Sequence, residues 1–212
     1  MTTKKKTAAA DSAEAAEAGA REGATATRPV PELLDDLAGA NRRMRQEASH
    51  ELASVAREDP SQLVDAIPAL IDALYRPEAQ TRWEVLNALS ELARSNARKL
   101  AKAYEGAEAA LFDEASATVR LAAFRFLSCY GATSQKRSDE VWPLLDEAIQ
   151  CFHGDSEYRD MLSHMLTFAH GRISKASREA LAERIRFDAT SGHGYIKTCS
   201  AEIFEVLEAK AK

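Results

Sequence analysis

Cys151-Phe152-His153 is the closest pairing of cysteine and histidine in this sequence. A thiolate and an imidazole so spaced can both bind zinc, but a finger or ribbon needs a second pair at comparable spacing. His164, His170, His193 and Cys199 stand singly, so the cysteines read as buried residues, the histidines as solvated ones, and no metal is assigned. His50-Glu51 would open a zincin helix only with a histidine at position 54, which is Ser54. The chain has no GxSxG, no P-loop and no GxGxxG, hence neither a nucleophile elbow nor a nucleotide cradle. No catalytic residue and no cofactor follow from such a set, and the chemistry that remains is that of recognition.

Residues suited to recognition sit at regular intervals. Arg45, Arg82, Arg120, Arg159 and Lys197 are 37, 38, 39 and 38 residues apart, and Leu52, Leu89, Leu127, Leu166 and Phe204 each follow by seven. A recurrence of this length marks a helical repeat whose units bury their apolar faces against one another. Within each second helix, offsets 3, 4, 7, 10 and 11 from the basic residue point inward. Offsets 1, 5, 8 and 12 then fall on the opposite side, at about 100° per residue. That outer strip carries Gln46, Trp83, Leu121 and Asp160, then His50, Asn87, Arg125 and His164, then Arg57 and Arg94. Stacked second helices would turn it into a ladder rich in the side chains that anchor interfaces. Trp83, Asn87, Arg94, Leu121, Arg125 and His164 are its candidate partner-binding rungs. The basic column, Arg45, Arg82, Arg120 and Arg159, reads as structural. A cation at a helix N-terminus opposes the dipole, so it calls for loop carbonyls or nearby carboxylates such as Glu114 and Asp155.

The elements that must position these residues are helices throughout. Residues 1–28 hold no large apolar side chain after Met1, so composition predicts a disordered tail followed by one repeat domain over 29–212. Repeats are expected at about 31–57, 59–94, 95–132, 138–171 and 174–210. Asp59-Pro60-Ser61 is a helix start, the polar stretch 131–138 ends in a capping serine, and Gly171 suits a left-handed cap. Formal net charge −5 and pI near 5.6 work against a generic nucleic-acid binder, although an acidic total leaves room for a local basic strip. Three scattered cysteines, no apolar run approaching a membrane span and no signal-peptide pattern place the chain in the cytoplasm.

Pro68 lies fourteen residues before Arg82, Val119-Arg120 opens a second helix, and the unit is a helix pair of about 38 residues. On these residues the chain resembles the HEAT-repeat, armadillo-type family of α-solenoids. The resemblance implies an all-α, right-handed superhelix of about five helix pairs, with the proline bending a first helix and the second helices lining a concave surface. It also implies a non-enzymatic scaffold or adaptor that holds a protein or peptide segment there. The alternative within the resemblance is a HEAT-like DNA-binding protein or alkylated-base DNA glycosylase, for which Trp83, Asp160 and Arg125 would supply the aromatic, acidic and cationic parts. Partner identity and oligomeric state are not encoded in any motif.

Overall fold

The computed structural model describes residues 28–210, and the tail expected over 1–28 lies outside them but for Arg28. Ten α-helices run in sequence: α1 (Val30–Ala38), α2 (Arg42–Glu58), α3 (Ile67–Ala73), α4 (Ala79–Asn96), α5 (Tyr104–Leu111), α6 (Ala117–Gly131), α7 (Gln135–Phe152), α8 (Tyr158–His170), α9 (Lys175–Ser191) and α10 (Gly194–Ala209). Short 3-10 turns at Pro60–Leu63 and Lys99–Ala103 precede α3 and α5. No strand occurs among the described residues.

Local chemistry explains most boundaries. The side-chain oxygens of Asn41, Ser116, Ser134 and Ser174 accept backbone N–H groups in the first turns of α2, α6, α7 and α9. The capping serine before α7 is thus Ser134, while Ser138 is buried inside the helix and accepts from the backbone N–H of Ser174 at 2.9 Å. Asp59 caps the turn that starts at Pro60. The first helix of the second repeat is broken before Pro68, which stands at the second position of α3, where a missing N–H costs nothing.

Odd- and even-numbered helices form two layers. Each even helix packs on the next, α2 on α4 on α6 on α8 on α10, most extensively from α2 to α6, while α7 and α9 of the other layer touch more sparingly. Ala53, Ser90 and Ser128 make the close approach possible. These offset-8 positions were expected on the outer strip and are instead buried between helices. Their small size admits the neighbour, and Ser90 and Ser128 satisfy their hydroxyls on the carbonyls of Leu86 and Phe124 at 2.7 Å.

The core is continuous from Leu33 to Leu207. Leu52, Leu89 and Leu127 are fully buried as expected, but Leu166 is half-buried and Met165 is buried in its stead. Ile203 likewise replaces Phe204. The core column therefore keeps an even step of 38 residues from Leu89 onward, and the interval of 39 between Arg120 and Arg159 marks a one-residue slip. Gly171 is extended, at φ −73° and ψ −174°, so the expected left-handed cap is absent. A Cβ there would fall 2.5 Å from the Ala132 backbone, and close approach between turns is what requires glycine.

Candidate functional site

The basic column fixes where the even helices stand. Arg45 pairs with Glu78 and donates to the Gly39 carbonyl at 2.9 Å. Arg82 donates to Asp113 at 2.7 Å. Arg120 pairs with Glu157 and donates to the Asp113 carbonyl at 2.8 Å. The loop carbonyls match expectation, whereas Glu114 and Asp155 are not the carboxylates used. Each arginine reaches an acid one repeat further on, so the pairs bolt neighbouring units together. The arginine beside each carboxylate holds Glu78 and Glu157 below the usual glutamate range.

Arg159 departs from this column. The one-residue slip puts Tyr158 in the buried position, where its hydroxyl donates to Asp188 and His153 Nε2 lies 3.1 Å from the same carboxylate. Burial and the adjacent carboxylate push the Tyr158 hydroxyl well above its ordinary range. Arg159 is exposed and lies over the Tyr195 ring at 4.4 Å, so its structural role is corrected to a surface contact between α8 and α10.

Of the expected rungs, Asn87, Arg125 and His164 lie together across the even layer. Arg125 of α6 donates to Asn87 Oδ1 at 2.9 Å and to Glu91 Oε1 at 2.5 Å, spanning the seam to α4. His50 of α2 meets Glu84 of α4 at 2.8 Å. His164 of α8 sits close enough to Arg125 to feel its charge; burial, with that charge second, lowers its pKa to about 4. Trp83 and Leu121, one turn toward the helix N-termini, are half-buried against the core. Arg94, in the last turn of α4, is exposed. Cys129 lies within reach of the Arg125, Glu91 and Arg94 charges, and burial raises its thiol pKa. The result is a strip across α4, α6 and α8 with an apolar edge, a central guanidinium held by two side chains of α4, and a neutral imidazole beside it.

Glu84, Glu91 and Cys129 belong to this strip and were missed. They stand at offsets 2 and 9, just outside the chosen positions, and Glu91 one turn after Asn87 was the available signal. The dispersed thiol and imidazole residues do not assemble: Cys151 is exposed, His153 faces Asp188, and Cys199 is buried beside Tyr195. Among the described residues no group of three His, Cys, Asp or Glu side chains converges on a common point. An open groove of about 400 Å³ lies between α7 and α9, lined by Ile149, Gln150, His153, Arg184, Phe187 and Asp188. No helix among the described residues is long and apolar enough to cross a membrane.

Comparison of the sequence with protein-family models and with curated proteins gives no match. Solved structures do match. A designed armadillo repeat protein in complex with the peptide (KR)4 superposes with TM-score 0.69 at 17% identity, over 92% of this chain and 84% of that one. The fold is an armadillo/HEAT-like α-solenoid. The armadillo-repeats-only protein of Plasmodium falciparum matches with TM-score 0.54 at 15% identity, over 77% of this chain and 80% of that one. An engineered protein matches with TM-score 0.66 at 17% identity over 84% of this chain, which spans just under half (47%) of that protein. At such identities the likeness bears on the solenoid alone, and the side chains on its even layer are this chain's own.

Proposed function

We propose that this solenoid is a non-enzymatic binding module that holds a peptide segment of another protein across α4, α6 and α8. The observation that carries the reading is the Arg125 bridge to Asn87 and Glu91. It fixes a half-exposed guanidinium between Trp83 and Leu121 on one side and His164 on the other. An arginine already immobilised loses little side-chain entropy on binding, and aromatic, arginine and asparagine groups in one row suit an extended chain with alternating apolar and polar demands. The peptide bound by the designed armadillo neighbour supports the choice of ligand class. The carboxylates of Glu84 and Glu91 along the same strip disfavour a phosphate backbone and with it the DNA-binding alternative.

The test is selection of random peptides against the full chain, followed by affinity measurement with Trp83→Ala and Arg125→Glu. Anchor residues of this kind cost about 2 kcal/mol or more when truncated, so each variant should weaken binding by about thirtyfold. Selected peptides that bind both variants as tightly as the parent contradict the reading.

A further inference from the structure

The strip described above ends, at the C-terminal edge of α4, in a group of cations that neither the core nor the ladder uses. From Arg94 to Tyr104 the chain carries Arg94, Arg98, Lys99 and Lys102 and no carboxylate. All four are exposed. Lys136, in the first turn of α7, is exposed as well. Among the described residues Arg94, Arg98 and Lys102 make no ion pair, and Lys99 reaches Asp65 at 3.9 Å, a carboxylate wholly open to water. The nearest acids along the chain are Glu91, which is committed to Arg125, and Glu105, in the first turn of α5. Arg94 in the last turn of α4 complements the helix dipole, but Arg98, Lys99 and Lys102 lie beyond that turn and gain little from it. In a chain of formal charge −5, these four cations, three of them without an ion-pair partner, form a local positive field.

Resting on the reading of this face as a peptide site, we propose that the bound segment is acidic at the end that leaves the ladder over the C-terminal edge of α4. There Arg94, Arg98 and Lys102 receive its carboxylates. Arg94 connects the two regions: it lies on the Trp83–Asn87 face of α4 and close enough to act on Cys129 of α6, while also bordering the exposed cations. A nucleic acid is the poorer occupant, because a phosphate chain following the ladder would pass Glu84, Glu91 and Asp160. A polypeptide can place apolar and neutral residues over the ladder and its acids at the edge. Exposed cations of this sort act mainly on encounter rate and on salt dependence.

The experiment takes peptides selected against the full chain and measures their binding by fluorescence anisotropy at two salt concentrations. It uses parent chain, Trp83→Ala, and the charge reversal Arg94→Glu/Arg98→Glu/Lys102→Glu, with (KR)4 and a single-stranded DNA oligonucleotide as further probes. All three reversed residues are exposed, and circular dichroism checks that the variant is folded. The expected result is a set of peptides with clustered Asp or Glu, bound about tenfold more weakly by the reversed variant and by the parent at high salt. Peptides without an acidic cluster, indifferent to the reversal yet weakened by Trp83→Ala, overturn this proposal and leave the peptide-binding reading standing. Tighter binding of (KR)4 or of DNA than of any selected peptide also overturns it. Selection of nothing, or of peptides indifferent to both variants, overturns both.

Discussion

Replacing Arg45 by methionine isolates what the buried column contributes. The Arg45 and Glu78 side chains are 9% and 5% exposed, so removing the guanidinium leaves a carboxylate with almost no water to solvate it, and the Gly39 carbonyl loses its donor. Breaking a buried pair from one side costs about 3–5 kcal/mol, a large part of the 5–15 kcal/mol that holds a typical domain. The double replacement Arg45→Met/Glu78→Leu removes both charges and fills the space, and should return to within about 1 kcal/mol of the parent. Urea unfolding followed by circular dichroism at pH 7 measures all members of the cycle. Hydrogen exchange on α1 and α2 shows whether the loss is confined to the first interface, since repeat arrays can unfold in parts. The pH dependence has a definite sign. Glu78 has a lowered folded pKa, so its contribution in the parent is present above about pH 4.5 and is lost as pH falls through the lower folded value. In Arg45→Met the stranded carboxylate is instead harder to ionise, and the deficit against the parent should shrink on acidification. A single replacement costing under about 1 kcal/mol, or a double one costing the sum of the singles, would refute the claim that these pairs bolt the repeats.

Three further outcomes are expected. Leu127→Ala, at a fully buried position in α6, should cost about 2–5 kcal/mol by urea unfolding. Gly131→Ala should cost about 1–3 kcal/mol by the same assay, because a Cβ there collides with Val141 and comes within 2.8 Å of Phe168. His164 should titrate near pH 4 by NMR and rise only part of the way toward 6.5 in Arg125→Gln, because burial is the larger cause of the depression. The unfolded chain binds this proton first, so the site should destabilise the fold by about 2 kcal/mol as pH falls from about 6.5 to 4.

The helix pairs were legible because buried leucines recur at a nearly fixed interval, and periodicity of that kind survives without any knowledge of neighbours. The slip at Arg159 was not. Tyr158 and Arg159 are adjacent and both long, and only Asp188, thirty residues on, selects the tyrosine for the buried place. The carboxylates that receive Arg45, Arg82 and Arg120 escaped for the same reason: they sit a whole repeat away, where local spacing carries no signal. Ser90 and Ser128 fall outward by helical phase, at offset 8, yet a hydroxyl that bonds its own helix behaves as a small buried residue. The Asn87, Arg125 and His164 rungs were legible from helical phase alone. Glu84 and Glu91, which hold His50 and Arg125, required the geometry of the seam.

Amide chemical-shift mapping of the full chain with a selected peptide tests the central claim most directly. The account predicts perturbations concentrated on α4, α6 and α8, at Trp83, Asn87, Leu121, Arg125 and His164. Perturbations confined to the groove between α7 and α9, at Gln150 and the 69% exposed Phe187, would contradict it.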